Sequence, residues 1–587
     1  MKHTYYKIVG AFLALTGLTT SCSDFLEIEP LNEIIRDNFW NEKADVDNIM
    51  AGCYSRLQAD DIVSRMSVWG EVRSDNCVAG QNVQSDASLE NVFKENINAS
   101  NEYTKYEGFY EVINRCNIIL QEAPGVAEKD PSYSDSELQA TIAEASALRD
   151  LCYFYLIRAF RNVPYTTQAF TDDYQDFELP ATPFYDVLDS LILDLEKVRT
   201  MAVRRYPTAS GTKQLYQTAR ITQDVIHAML CEMYLWKQDY QNCVKYADMV
   251  IQSKKDLKED NLNRTNKGRR DDDDEFLLGY PLVSERQSGS TSIFGSAYSR
   301  VFGTGNSDES IFELTYMKDN DNMLSNNAIN RLYGNTTNAI GFIAPSDYVG
   351  TDVKEERYEV FKKKRVDVRP YEWFNSDGSG IQKFVVREVR VDIQKTESSS
   401  GGASRYESTS SNRYADGRNK SNWIIYRLSD IMLMKAEALV QMMSDDSEEM
   451  QNEYNQDLVQ QAFLLVNTIN KRATCEYPLK DTLTINNYNT KATMGELVME
   501  ERQRELMFEG KRWFDLVRRS LRDDDTSFLI SQVNKKGMSN SSAVANKLKK
   551  MDAIFWPYYK DELNVNKNLV QNPAFGSGED QNYEQNR

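Results

Sequence analysis

The densest set of ionisable side chains lies between Val498 and Arg518, in VMEERQRELMFEGKRWFDLVR. Glu501, Arg502, Glu505, Glu509, Arg512, Asp515 and Arg518 fall at helical spacing, with opposite charges repeatedly three or four residues apart. Paired carboxylates serve as general acid and base only if one of them holds a proton near neutrality. Carboxylates answered by this many guanidiniums are pulled to low pKa and make poor general acids. Met499, Leu506, Trp513 and Val517 share one helical face, and Phe508 and Phe514 sit among the charges. The spacing therefore predicts one long, partly buried helix over 498–518 whose charges pair with neighbouring elements.

Other catalytic raw material is scarce. Of two histidines, His3 lies in the leader and His227, in DVIHAML, sits on an apolar helix and reads as core. Eight cysteines include no C-x-x-C. Zinc sites and Ser/His or Cys/His chemistry thus lack their usual residues, and no metal or cofactor is expected. Asp271 to Asp274 are four consecutive acids without the spacing of a calcium loop, and read as solvated. A formal charge of -20 and a pI near 4.9 exclude a nucleic-acid surface, which needs a basic field.

The N-terminus has the pattern of an export signal. Lys2 and Lys7 precede the apolar run Ile8–Leu18, which is too short to span a bilayer. Leu18-Thr19-Thr20-Ser21-Cys22 then places a cysteine at the cleavage point. The expectation is removal of residues 1–21 and acylation of Cys22, which would anchor the chain to a membrane. Cys53, Cys77, Cys116, Cys152, Cys231, Cys243 and Cys475 read as small buried hydrophobes, with Cys77 the one expected to be exposed.

Periodicity predicts helices over 43–58, 102–121, 136–160, 182–199, 221–236, 239–252, 428–443 and 455–472. Helices 221–236 and 239–252 flank a tight turn, and 428–443 with 455–472 repeats the plan. This is the helix-pair logic of tetratricopeptide scaffolds. From 254 to 423 the composition shifts to Gly, Ser and Asn with short β-like runs, IFELTYM and FVVREVRVDI. Residues 254–275 read as a charged loop and 396–422 as a Ser/Gly-rich loop.

Several segments resemble the SusD/RagB family, the starch-utilisation-system D-like lipoproteins. The resemblance lies in Cys22 with DFL, WGEVRSDN (69–76), EASALRDLCYFYLIRAFRNVP (144–164), the helix over 424–439, ER-x-x-EL-x-FEG-x-RWFDL-x-R, and a closing segment ending QNPAF (571–575). Asn162 stands where the family usually has Gly. The resemblance implies a mostly α fold, about four tetratricopeptide-like helix pairs with a loop-rich region carrying short β-strands on top. It implies a single domain over 22–587, with scaffold 24–253 and 424–520, ligand region 254–423 and a wrapping tail 551–587. It further implies a lipid-anchored, outward-facing outer-membrane protein that captures a glycan as lid of a TonB-dependent, SusC-like transporter. The alternative within the fold is capture of a peptide or other nutrient. A glycoside hydrolase would need two carboxylates across a cleft, and no motif supports one.

The family's motifs carry scaffold, not ligand contacts. Sugars present apolar C–H faces and hydroxyls, which aromatic rings and amides complement. Loop residues of those types are the binding candidates: Trp69, Asn82, Gln84, Tyr280, Phe294, Tyr298, Tyr333, Tyr348 and Trp373.

Overall fold

The computed structural model describes residues 39–171, 175, 177–206, 211–265, 276–283, 292–294, 296–316, 318–319, 322–323, 325–334, 340–350, 360–361, 367–375, 378–397, 403–413, 419–446, 448–473 and 483–576. Cys22, Asp271 to Asp274 and Cys475 lie outside them. No helix among the described residues is long and apolar enough to cross a membrane.

The scaffold is helical. Its elements are α1 (Lys43–Leu57), α2 (Asp60–Ser67), α3 (Glu107–Lys129), α4 (Asp135–Phe160), α5 (Phe184–Val198), α6 (Gln223–Lys237), α7 (Tyr240–Thr265), α8 (Leu428–Met442), α9 (Glu453–Ala473), α10 (Lys491–Leu506) and α11 (Arg512–Asp523). Helices α1 with α3, α4 with α5, α6 with α7 and α8 with α9 pack as four pairs. Local chemistry sets their ends. Ser134 and Glu137 close a capping box on α4. Gln238, at φ 65°, turns the chain back from α6 into α7. Helix α8 is buried on every face from Leu428 to Val440, clasped by α7, α9 and α10, as its almost wholly apolar middle requires.

Short strands cap this scaffold. Strand β1 (Cys77–Ala79) pairs antiparallel with β4 (Ile343–Pro345), and β3 (Ser310–Leu314) with β7 (Trp423–Arg427). Strands β5 (Val386–Glu397) and β6 (Ala403–Arg413) form a long hairpin, with β2 (Ser292–Phe294) on the other edge of β5.

Four expectations are corrected. The predicted loop 254–275 begins as helix, because α7 runs on to Thr265. The predicted loop 396–422 contains β6, since Ser- and Thr-rich sequence pairs readily when a strand lies alongside. The helix predicted over 102–121 starts at Glu107, after a 3₁₀ turn at Glu102–Thr104, and runs through Pro124 to Lys129. The single helix predicted over 498–518 is two helices, separated at Met507–Lys511.

The last break has an identifiable cause. Phe508 and Gly510 adopt φ 68° and 70°. The turn they form is held by Glu71, whose carboxylate accepts from the amides of Phe508 (3.0 Å), Gly510 (3.2 Å) and Lys511 (3.3 Å) and from Asn76 Nδ2 (2.8 Å). Burial pushes the Glu71 carboxyl up to about 7 against the pull of these donors. Gly70 lets the two backbones touch: a Cβ there would lie 1.8 Å from the Gly510 carbonyl oxygen. Tertiary hydrogen bonds thus override a helical pattern that continues in the sequence.

The charges flanking this turn form a buried ionic core. Arg427 reaches Glu505 (2.8 Å) and Glu509 (2.7 Å), Arg369 reaches Glu501 (2.8 Å), and Lys383 reaches Glu509 (2.6 Å), all with fully buried side chains. Arg472 joins Glu309 to Glu505, and the Tyr298 hydroxyl donates to Glu505 (2.9 Å). A second group joins Arg502 to Asp515 and Asp430, Arg518 to Glu437, and Arg512 to Asp75. Most partners come from distant segments, while Asp515 pairs within the stretch with Arg502 and Arg518 (both 2.9 Å). Only Glu501–Arg504 (3.0 Å) survives of the local pairs Glu501–Arg504, Glu509–Arg512 and Lys511–Asp515 that the spacing suggests. Burial would raise the Glu505 carboxyl, but the guanidiniums of Arg472, Arg427 and Arg369 outweigh it and hold it below the usual carboxylate range. Asp430, likewise buried, is brought to about 2 by Lys511 and Arg502.

Candidate functional site

The segment after β1 builds one wall of a cleft. Gly80 N–H donates to the Phe342 carbonyl (2.8 Å) and Phe342 N–H to the Arg331 carbonyl (3.1 Å). These bonds bring three chain segments to one point. The crossing needs glycine: a Cβ on Gly80 would lie 2.2 Å from the Gly341 oxygen, and one on Gly341 2.2 Å from the Leu332 oxygen. Asn82 follows at φ 65°, a conformation asparagine tolerates. Asp86 then caps the short helix Ala87–Phe93 through the Leu89 amide (2.9 Å). Across the cleft, Asn326 caps the helix Asn327–Leu332 through the Ile329 amide (3.1 Å).

The result is a cavity of about 310 Å³ lined by Gln81, Asn82, Asn327, Asn330, Arg331, Ile340, Gly341 and Phe342. Its volume lies at the lower end of the range of small-molecule sites. Four amide side chains, one guanidinium and a half-buried aromatic ring line it, and no carboxylate does so among the described residues. Arg331 is fixed from behind: its Nη2 donates to Ser64 Oγ (3.1 Å) and the Tyr103 hydroxyl (3.3 Å). The Asn330 Oδ1 is buried without a hydrogen-bond partner, and its Nδ2 donates to Ser325 Oγ (3.4 Å).

The cleft is fastened to the ionic core. Ser346, just after β4, donates its amide to the Asn76 carbonyl and its hydroxyl to the Asp75 carbonyl. Asp75 in turn pairs with Arg512. The Tyr333 hydroxyl, behind Arg331, donates to the Phe508 carbonyl (2.8 Å). A polar cleft therefore stands on a rigid base, the arrangement by which loops carry binding.

Of the sequence candidates, Asn82 lines this cleft and Gln84 is exposed one turn beyond it. Four aromatics are instead core, and their assignment as binding platforms is corrected. Trp69 is fully buried, stacks on Phe109 and donates to the Tyr103 carbonyl. Tyr333, Tyr298 and Trp373 are buried through the contacts of their polar ends or faces, Trp373 beneath the Lys383 ammonium at 3.7 Å. Beside Tyr298 and Trp373 there is only a crevice of about 10 Å³, room for one water at most. Tyr280 and Tyr348 are half-buried under Lys255 and Lys535, away from the cleft lining. The side chain of Phe294 lies outside the described residues. Cys77, expected to be exposed, is fully buried.

Sequence reasoning missed Gln81, Asn327, Asn330, Arg331 and Phe342. The asparagine-rich stretch 326–338, NNAINRLYGNTTN, is the signal that points there, since aromatic content alone favours the core. A second cavity, about 360 Å³, lies between α8, α10 and α11. Three of its carboxylates already have cations: Glu437 with Arg518 (2.5 Å), Asp445 with Lys491 (3.1 Å) and Asp523 with Arg522 (2.7 Å).

This architecture matches known proteins along most of its length. A SusD family model matches residues 308–575. A second, described as starch-binding and associating with the outer membrane, matches residues 24–235. The chain belongs to the SusD/RagB family. A SusD-like protein of Formosa agariphila is 25% identical over 593 residues, covering 98% of this chain and 100% of that one. A SusD superfamily structure from Bacteroides thetaiotaomicron has a TM-score of 0.59 at 19% identity, covering 92% of this chain and 99% of that one. A laminarin-binding SusD-like protein has a TM-score of 0.56 at 17% identity, covering 91% and 100%. Within this SusD-family chain the ER-x-x-EL-x-FEG-x-RWFDL signature is therefore the ionic core and its turn, a scaffold element.

Proposed function

We propose that this protein is a glycan-capture lipoprotein, anchored through Cys22 at the outer membrane, that takes up an oligosaccharide in the cleft beside Asn82 and passes it to a TonB-dependent, SusC-like transporter. The observation that carries the reading is the cleft itself. Amides from the segment after β1 and from the helix Asn327–Leu332 converge with one aromatic ring on a space of oligosaccharide-unit size. Amides exchange hydrogen bonds with sugar hydroxyls in both directions, while the ring edge meets C–H faces. The laminarin-binding relative supports the ligand class.

The reading is of a binding protein, not an enzyme. Glycoside hydrolysis needs an acid and a nucleophile or base flanking the bond. Among the described residues no carboxylate lines the cleft, and the buried carboxylates Glu501, Glu505, Glu509 and Asp515 are all held below their ordinary range. The test is native electrophoresis through gels containing single polysaccharides, with chromatography of the same mixtures after long incubation. Retardation by a glycan without new products supports capture. Retardation with shortened products makes the protein a hydrolase. Binding confined to peptides moves the ligand to the other class known for this fold.

A further inference from the structure

The charge in the cleft is unlike the charge of the chain. The protein carries a formal -20, yet the cavity lining holds one cation, Arg331, and no anion. We propose that Arg331 and the amides around it form a subsite for an acidic sugar unit, one bearing a carboxylate or a sulfate ester. This rests on the glycan-capture reading and narrows it.

Three observations carry it. First, the Arg331 guanidinium is presented rather than consumed. Its side chain is 46% exposed, and its nearest carboxylate, Asp86, stands 3.8 Å away, too far for a hydrogen bond. The Asp86 oxygens are instead taken by the Leu89 amide and the Tyr103 hydroxyl. Second, the guanidinium is held in place by Ser64 and Tyr103, so little side-chain freedom is lost when it binds. With both Nη2 hydrogens so engaged, Nη1 and Nε are the donors left for a charge-assisted bond to an anion oxygen. Third, Gln81, Asn82 and Asn327 line the same cavity and supply further N–H donors for the anion. A neutral sugar can accept from the guanidinium but leaves its charge unmatched. An anionic polymer approaching a strongly acidic protein requires a local positive site.

Calorimetric titration of the mature, unlipidated protein tests this with three probes: a uronic-acid oligosaccharide, a sulfated oligosaccharide and neutral laminarin. Binding of an acidic probe is expected to be about tenfold tighter than that of laminarin, the scale of one charge-assisted hydrogen bond. It should weaken with added salt. Arg331→Gln should remove the preference and Arg331→Lys restore part of it. Asp86→Asn keeps a capping side chain on the helix Ala87–Phe93 and removes the neighbouring anion, so it should tighten acidic binding alone. Which acidic probe binds separates carboxylate from sulfate. Laminarin binding as well as both acidic probes, or acidic binding indifferent to Arg331→Gln and Asp86→Asn, overturns the inference and leaves glycan capture standing. No binding to any glycan overturns both.

Discussion

Replacing Arg427 by methionine tests whether the buried ionic core holds the fold together. Arg427 donates Nε and Nη2 to Glu509 (2.8 and 2.7 Å), Nη1 to Glu505 (2.8 Å) and Nη2 to the Glu505 carbonyl (2.9 Å). Both carboxylates are fully buried. In Arg427→Met, Glu505 retains Arg472 and Arg369, but Glu509 retains only Lys383. Lys383 is itself brought down to about 8 by burial, so it is a weak counter-charge. Stripping one partner from a buried pair costs about 3–5 kcal/mol. The exposed pair Lys491–Asp445 gives the control, because Lys491→Met should cost about 0–1 kcal/mol. The sign of the pH dependence follows. In the parent, burial raises Glu509 but Arg427 and Lys383 outweigh it and depress its folded pKa. Its contribution is therefore full above the unfolded value of 4.5 and lost as the pH falls. Without Arg427, burial dominates and raises Glu509 above its unfolded value, so the variant loses stability as the pH rises. The gap between parent and variant should thus widen from pH 5 to pH 8. Urea unfolding followed by tryptophan fluorescence at both pH values measures it. A cost for Arg427→Met equal to that of Lys491→Met, or a gap independent of pH, would refute the reasoning.

Other consequences can be checked on the same protein. Gly70→Ala places a methyl 1.8 Å from the Gly510 oxygen, with backbone on both sides. It must part the Glu71 carboxylate from three amides, and a loss of about 3 kcal/mol is expected at roughly 1 kcal/mol per hydrogen bond; an unchanged unfolding midpoint would contradict the account of the helix break. Burial pushes the thiols of Cys77, Cys116, Cys152 and Cys231 well up. Alkylation of these four in the native protein should be slow and rise sharply on unfolding, as peptide mass mapping would show.

The helical scaffold was legible because burial imposes a 3.6-residue pattern over long segments. The helices 221–236, 428–443 and 455–472 fall within a few residues of their observed bounds, and 239–252 starts in place but runs on to Thr265. Where tertiary contacts decide, sequence failed. Nothing local in ELMFEGKRW announces that Glu71, more than 400 residues earlier, will capture its amides. His227 behaves as its apolar setting suggests, since burial lowers its imidazole to about 4. Aromatic type proved a poor guide to the cleft. Trp69, Tyr298, Tyr333 and Trp373 bury large surfaces that a scaffold of this size uses for its core. Asn82 lines the cleft from a left-handed turn, within the loop 77–89 whose Asn, Gln and Ser content marks it as polar. Its partners Asn327, Asn330 and Arg331 come from a segment some 250 residues away, brought in by the pairing of β1 with β4.

The most direct test of glycan capture is calorimetry with the parent protein and an Asn330→Leu variant, against the polysaccharide that retards the protein most in gels. Leucine fills about the same volume and removes an amide from the cleft lining. The account predicts saturable binding to the parent, roughly tenfold weaker binding to the variant, and unaltered thermal stability. Equal affinity in both proteins would place the ligand elsewhere and contradict the assignment of this cleft.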